Sequence, residues 1–489
     1  MALLADRQSR LLIDGKLVDG NSGTFATVNP ATEETLGVAA DAGVEDMRAA
    51  IGAARRAFDE TDWSTNVDLR VRCIRQLQEA MRSHVEELRE LAIAEVGAPR
   101  MLTSMAQLEG PIEDLSFCAD TAQSYQWTTD LGIASPMGIK THRTIAREPI
   151  GVVGAITPWN FPNQINLAKL GPALAAGNTV VLKPAPDTPW SAAVLGQLIL
   201  ECTDMPPGVV NIITSSDHGV GALLSRDERV DMVSFTGSTN TGRAVMSDGS
   251  ATLKKVFLEL GGKSAFLVLD DANLAGACSM SAFTASMHAG QGCAITTRLV
   301  VPRARYDEAV QAAAATMAGL TPGDPNDAGT ICGPVISERQ RGRIQGYLDS
   351  AIAEGGRFAC GGGRPADRDT GFFIEPTVIA GLDNDAKVAR EEIFGPVLTV
   401  IAHDGDDDAV RIANDSPYGL SGTVFSGDDE RAAGVAARMR VGTVNVNGGV
   451  WYSPDMPFGG YKQSGIGREM GLAGFEEYLE IKAIATATQ

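Results

Sequence analysis

Cys293 lies in GQGCAITTR, where Gly290 and Gly292 leave the backbone uncrowded and free to present a thiol to a cleft. A thiolate so placed attacks a carbonyl carbon. The oxyanion that results needs prepositioned hydrogen-bond donors, each worth roughly 100- to 1000-fold in rate. Asn160, between Pro158 and Pro162 in ITPWNFP at the end of a predicted strand, is the candidate donor. Glu259, in FLELGGKS, is a carboxylate at an otherwise apolar strand end, where burial favours the neutral form and raises the pKa towards the range of a general base. Each residue also has a plainer reading: a buried structural cysteine, an asparagine capping the helix that begins near Asn163, a carboxylate paired with Lys263 or a backbone amide. His288, five residues before Cys293, reads as a packing residue rather than an activating base.

A second group of residues suits a dinucleotide. The run FTGSTNTG follows a predicted strand and opens a predicted helix, so Gly237 and Gly242 can bring backbone N–H groups against a pyrophosphate at the helix N-terminus. Thr239 stands where the fingerprint G-x-G-x-x-G has its middle glycine, and a plain strand-turn-helix junction explains the run equally well. Lys183 ends the strand NTVVLKP, which Pro184 stops; it is either an ammonium at the carboxyl end of a sheet or an ordinary solvated lysine. Asp187 reads as the N-cap of a helix with Pro189 in its first turn. Glu392 and Phe394, in REEIFGPV, offer a carboxylate and an aromatic face to a ribose and a nicotinamide ring, or else mark a surface helix end. The acidic cluster Asp404, Asp406, Asp407 and Asp408 lacks calcium-loop spacing and reads as a solvated helix start. The five histidines show no metal-ligand spacing, and no metal is expected.

The elements that must position these residues follow from periodicity. From 150 to 260, short β-rich runs (IGVVGAI, NTVVLKP, VVNIIT, DMVSFTG, KVFLELGG) alternate with helical segments, the rhythm of βαβ units and a parallel sheet. A second series over about 264–446 (FLVLDD, RLVVPR, GFFIEPTVI, VLTVIAHD, GTVNVN), with helical stretches such as 336–354, predicts a second α/β domain. Residues 44–59 and 67–96 read as amphipathic helices, the second stopped by Gly97. The stretch Trp127–Ile145, with Gly132, Pro136 and Gly138, predicts a hairpin standing apart, an edge suited to pairing with another subunit.

At 489 residues the chain is too long for one core. Its net charge of −20 opposes binding to nucleic acid or an anionic membrane surface and leaves a small organic substrate as the better fit. No apolar run approaches membrane-spanning length, and the N-terminus has too few apolar residues before Asp6 for a secretory signal core. The seven cysteines are scattered with no CxxC pair, which argues against a disulfide framework or a zinc site and for a cytoplasmic protein in which most of them are buried small hydrophobes.

In this order and spacing, PWNFP, LKPA, FTGSTxxG, LELGGK, GQGC and EEIFGPV resemble the NAD(P)-dependent aldehyde dehydrogenase superfamily over nearly the whole chain. The resemblance implies an α/β fold: a Rossmann-like dinucleotide-binding domain (1–121 and 143–261), a second α/β catalytic domain (262–465) and a small β oligomerisation hairpin (122–142) joined by the tail 466–489, in a dimer or tetramer. It implies Cys293 as nucleophile, Glu259 as general base and Asn160 as the oxyanion-hole side chain. Cofactor contacts fall to Ile156, Trp159, Lys183 and Pro186, to Gly237, Ser238 and Gly242, and to Leu260, Glu392 and Phe394. The substrate pocket falls to Phe161, Ile165, Ala168, Gly292 and Phe458.

Pro186 departs from the pattern, because NAD-preferring relatives often carry there a Glu that binds the adenosine ribose hydroxyls. With no such carboxylate, and no nearby Arg or Lys for a 2′-phosphate, the cofactor read from the chain is NAD with NADP tolerated. Gly292 and Ile295 also replace commoner residues and alter the pocket's shape. The implied reaction captures an aldehyde on Cys293 as a thiohemiacetal, passes its hydride to the nicotinamide and hydrolyses the thioester with water activated by Glu259. Relatives that acylate coenzyme A generally lack that carboxylate. The loop GGVWYSPDM and the small side chain of Ala168 imply a roomy, apolar and aromatic tunnel for hydrophobic or aromatic aldehydes rather than semialdehydes, since no Arg is offered to a second carboxylate. Cys293, Asn160 and Glu259 would also suffice for a thiol hydrolase of esters or thioesters, or persist in a silent binding protein; stoichiometric NADH from an aldehyde separates these readings.

Overall fold

The Val, Ile and Leu runs between 150 and 260 are too uniformly apolar for a sheet with one wet face and fit strands covered on both sides. In the computed structural model, which describes residues 8–488, they form five parallel strands: β1 (Val152–Ile156), β2 (Thr179–Lys183), β3 (Val210–Ile212), β4 (Met232–Thr236) and β5 (Lys255–Glu259). Their order is β5-β4-β1-β2-β3, continued antiparallel by Leu11–Ile13 and Lys16–Val18 beyond β3 and by Gly465–Ile466 beyond β5. With β2 on one side of β1 and β4 on the other, the order reverses at β1, and a crevice lies beyond the carboxyl ends of β1 and β4. The register pairs Ile156 with Lys183 and with Phe235, and Thr236 with Glu259, so these residues leave the sheet at one level.

Six helices matter to the site: α1 (Glu109–Ser124), α2 (Pro162–Ala176), α3 (Pro189–Cys202), α4 (Thr239–Gly249), α5 (Leu274–Ser286) and α6 (Glu338–Ala353). Proline opens α2 and α3, where a missing N–H forfeits no helical bond. Leu115, Leu167, Leu170 and Leu195 of α1, α2 and α3 cover the sheet face that carries Val180 and Leu182, while the helix Val44–Glu60 covers Val181 and Val233 with Met47 and Ile51. Asp187 does not cap α3. Thr188 holds that position, and Glu95 accepts the Trp190 N–H at 2.6 Å, the Ser191 N–H at 2.9 Å and the Ser191 hydroxyl at 2.6 Å. The helix expected over 67–96 is two, Val67–Ser83 and Val85–Val96, because His84 leaves helical geometry at φ −113° and ψ 17°; Gly97 ends the second in the left-handed conformation, as its position predicts.

The second sheet runs, in spatial order, Arg357–Cys360, Thr377–Ala380, Val397–His403, Thr296–Pro302, Ser264–Val268, Ser421–Phe425 and Thr443–Val446, all parallel except the first. Only the end of GFFIEPTVI is strand. Ser421–Phe425, an interior strand, escapes a reading that looks for Val and Ile runs because Gly and Thr fill much of it. A third, antiparallel sheet joins Thr128–Ala134, Thr141–Pro149 and Leu479–Ala487. It runs on to Pro149, beyond the hairpin end expected at 142, because the C-terminal strand pairs along the whole of Thr141–Pro149. The acidic cluster opens the helix Asp406–Asn414, with Asp406 bonded to Arg431 and Asp408 to Arg411. No helix among the described residues is long and apolar enough to cross a membrane. The reading of a missing signal core falls on residues 1–7, outside the described residues.

Candidate active site

Three successive left-handed residues, His288 (φ 50°), Ala289 (φ 51°) and Gly290 (φ 70°), carry the chain from α5 towards Cys293. For the two that are not glycine this costs on the order of 1 kcal/mol each, so neighbours must hold the turn. They do: His288 Nε2 lies 2.8 Å from the Asn160 carbonyl oxygen, and Gln291 Oε1 accepts the Ile336 N–H at 2.9 Å. At Gly290 a Cβ would fall 2.1 Å from the Gly395 carbonyl oxygen, so only glycine fits. The Asn160 carboxamide donates to the Gln291 carbonyl at 2.9 Å, which leaves α2 without a side-chain cap and ties the candidate oxyanion donor to the cysteine loop. His288 is buried, and burial pushes its pKa down to about 4; the ring braces Asn160 as a neutral group.

One chamber is lined by Cys293, Asn160, Glu259, Ile165, Leu260, Trp159, Glu392 and Phe394 together. Cys293 is half-buried there, and burial followed by the carboxyls of Glu259, Glu392 and Glu469 pushes its thiol up. Glu259 is 1% exposed, and neither of its carboxyl oxygens has a hydrogen-bond partner among the described residues. Burial first, then Glu469, raises its pKa well above the usual carboxylate range against the pull of Lys169 and Arg468. It is not paired with Lys263, whose ammonium is also buried without a hydrogen-bond partner among the described residues and is pushed down to about 7 by burial. Glu469 is itself held 3.0 Å from Lys169, which also reaches Ser234.

An adjoining chamber shares Pro158, Trp159, Thr236, Gly237, Ser238 and Arg339 with the first and adds Ile156, Lys183, Pro186 and Asp187. Lys183 is not solvated: it is 3% exposed, donates to the Pro184 and Ser215 carbonyls at 3.1 and 3.2 Å, and is lowered to about 8 by burial. The two glycines do not offer their N–H groups. That of Gly237 bonds the Glu259 carbonyl at 3.0 Å and that of Gly242 bonds the Ser238 carbonyl at 2.9 Å. Gly242 lines neither chamber; a Cβ there would fall 2.6 Å from Leu260, so its smallness lets α4 close on the end of β5. The donors left for an anion are the first-turn N–H groups of Thr239 and Asn240 beside the Ser238 cap.

Glu392 is no surface helix end: it accepts the Gly262 N–H at 3.0 Å and lines the cysteine chamber. Phe394, at φ 60°, meets the Trp159 ring edge-on at 5.4 Å. A buried lysine, a helix N-terminus, a carboxylate and an aromatic pair along one crevice at the reversal of strand order fit a dinucleotide. Of the expected pocket residues, Ile165 lines the cysteine chamber and Ala168 a third cavity. Phe161, Gly292 and Phe458 line none of the three: Phe161 turns to the His288 ring, Gly292 packs against Ile295, and Phe458 stacks on Trp451 at 4.7 Å.

The sequence pattern of the aldehyde dehydrogenase family matches residues 17–484. The chain belongs to that family. It is 42% identical over 477 residues to 3-succinoylsemialdehyde-pyridine dehydrogenase of a Pseudomonas species, covering 96% of this chain and 97% of the relative. Geranial dehydrogenase of Castellaniella defragrans is 39% identical, covering 94% of each chain. Among solved structures, aldehyde dehydrogenase C of Pseudomonas syringae, a mutant in complex with NAD+ and octanal, superposes with a TM-score of 0.93 at 40% identity over 98% of this chain and 97% of the other. Betaine aldehyde dehydrogenase of Staphylococcus aureus in complex with NAD+ gives 0.95 at 37% identity, over 99% and 96%.

In this aldehyde dehydrogenase the sequence reading missed the contribution of α6, whose run ERQRGR looks like a solvated helix start. Arg339, Gln340 and Arg343 line the cysteine chamber; Gln340 donates to the Phe394 carbonyl at 2.8 Å and Arg343 to the Glu392 carbonyl at 2.6 Å, so α6 holds the loop that carries both residues. Asp187, read as a cap, lines the adjoining chamber with His218. No local signal marks these residues, because their partners lie far off in sequence.

Proposed function

We propose that the protein oxidises a hydrophobic aldehyde to its carboxylic acid with NAD+, through a covalent intermediate on Cys293. The observation that carries the reading is the convergence of Cys293, Asn160 and Glu259 on one chamber beside a crevice suited to a dinucleotide. Lys183, Ser238 and the first turn of α4 would hold the ribose and pyrophosphate, and Glu392 and Phe394 the nicotinamide end. When bound, the nicotinamide supplies an acceptor for hydride from the captured carbon. The NAD+ complexes of the Pseudomonas syringae and Staphylococcus aureus enzymes support this choice. A 2′-phosphate would meet Asp187 as well as Arg339, which supports NAD with NADP tolerated.

The Cys293 thiol gives up its proton to solvent, the thiolate attacks the aldehyde carbon, and the oxyanion accepts hydrogen bonds from the Asn160 amide and the Cys293 N–H. Once the hydride has left, Glu259 takes a proton from the water that attacks the thioester, and Cys293 is released as the thiol. A carboxyl with no hydrogen-bond partner, raised by burial, is suited to that exchange. The names of the relatives acting on geranial and octanal support an apolar substrate. The first sheet and its helices would form the dinucleotide-binding domain, the second the catalytic domain, and the third sheet an oligomerisation surface for a dimer or tetramer. Seven free cysteines favour a cytoplasmic enzyme.

The test follows absorbance of reduced nicotinamide with octanal and NAD+. Stoichiometric NADH is expected from the native protein, none from Cys293→Ala, and a burst of about one equivalent per site followed by slow release from Glu259→Gln. A Glu259→Gln variant that turns over at the native steady rate would overturn the assignment of the base.

A further inference from the structure

The residues common to the two chambers mark the neck where one opens into the other. Pro158, Trp159, Thr236, Gly237 and Ser238 lie at the carboxyl ends of β1 and β4, and none of them carries a charge. Arg339 reaches the same neck from the opposite wall, on α6, whose Ile344 and Leu348 pack in the core of the second sheet. The remaining cations of the crevice stand to either side. Lys183 and His218 line only the adjoining chamber and Arg343 only the cysteine chamber, and Lys183 and Arg343 already donate to carbonyl oxygens. Arg339 is exposed, and among the described residues its guanidinium makes neither a hydrogen bond nor an ion pair.

A dinucleotide with its nicotinamide end at Cys293 and its adenosine in the adjoining chamber has to pass its phosphates through this neck. The Ser238 hydroxyl and the first-turn N–H groups of α4 offer dipoles to phosphate oxygens but no net charge. A guanidinium supplies that charge, and its planar fork matches two phosphate oxygens at once. We propose that Arg339 binds the cofactor's pyrophosphate from the wall opposite α4, so that the dinucleotide is held between the elements of the first sheet and those of the second. This rests on the reading of the crevice as the dinucleotide site and names the residue that balances the ligand's charge there.

Asp187 is the electrostatic neighbour of Arg339 across the crevice. Burial raises the Asp187 carboxyl, and of the cations that oppose the rise Arg339 comes first, followed by His218 and then by Lys183. A pyrophosphate therefore competes only with an attraction too distant to be an ion pair. With Arg339 engaged at the neck, a 2′-phosphate keeps Asp187 as a neighbour without the offsetting guanidinium, which adds to the preference for NAD+. The contact itself falls on phosphates that NAD+ and NADP+ share, so its loss weakens both alike. Because Arg339 is exposed, salt screens part of its attraction.

The experiment measures equilibrium binding to the intact protein by titration calorimetry, with no turnover required, for NAD+, NADP+, ADP-ribose and adenosine. Arg339→Gln is expected to raise the Kd of the three diphosphate ligands by roughly tenfold or more. Adenosine, which lacks the phosphates, is expected to change by less than about threefold, which also reports that the variant is folded. Arg339→Lys keeps the charge and loses the fork, so its Kd values are expected to fall between those of the native protein and Arg339→Gln. Raising salt from about 0.05 to about 0.5 M is expected to weaken ADP-ribose more in the native protein than in Arg339→Gln. An unchanged Kd for NAD+ in Arg339→Gln, or an equal loss for adenosine, overturns the assignment. So does a loss confined to NADP+, which would move Arg339 to the 2′-phosphate. A native protein that binds neither NAD+ nor NADP+ would instead overturn the dinucleotide reading on which it rests.

Discussion

Glu259 illustrates how a single side chain acquires its chemistry from its surroundings. In water it would be ionised and weakly basic; here burial and the neighbouring Glu469 hold its proton to higher pH. Since only the deprotonated carboxyl accepts a proton from water, thioester hydrolysis must rise with pH through the raised pKa. Replacing Glu469 by Gln removes one raising influence and frees Lys169 from its partner, and both changes stabilise the Glu259 carboxylate. The acid limb of the steady-state pH profile is therefore expected to move to lower pH in Glu469→Gln; a limb that stays or moves upward would show that Glu259 does not set it. Asn160→Ala removes a donor anchored 2.9 Å from the Gln291 carbonyl, and kcat is expected to fall roughly 100- to 1000-fold in steady-state assays with octanal and NAD+.

Elements position these residues through contacts that their own sequences do not announce. The N-terminus of α3 delivers Pro186 and Asp187 to the crevice, and it is anchored by Glu95 from the helix Val85–Val96 rather than by a local cap. Glu95→Ala leaves two N–H groups and a hydroxyl buried without their acceptor, so a loss of about 2–3 kcal/mol is expected in urea unfolding, together with a higher KM for the dinucleotide. An unchanged midpoint would mean that another group takes over the cap. The helix α6 acts similarly on the loop Glu392–Phe394, reaching it through Gln340 and Arg343.

At the scale of the whole molecule, the third sheet leaves Leu131, Ile133, Ile481 and Ile484 exposed, at 44–65%, on strands that pair the arm with the C-terminal tail. Such a surface is costly in water and suited to another copy of the chain. Ile133→Asp with Ile481→Asp is expected to reduce the proposed dimer or tetramer to smaller species in light scattering, whereas an unchanged mass would overturn this surface as the interface. The strands of the first sheet, the thiol loop and the helix starts at Pro162 and Pro189 were legible in the sequence because apolar runs, glycine and proline act within a few residues. What the sequence determined was the inventory of reactive groups and the order of βαβ units that brings most of them to one sheet edge. The tertiary structure alone decided that Gly242 packs against Leu260, that Lys183 is buried and Glu392 half-buried, that Phe161 meets His288 and Phe458 stacks on Trp451, and that Arg339 and Asp114 line cavities. Those outcomes depend on atoms brought together across long stretches of chain, where burial and unbalanced charge arise only on folding.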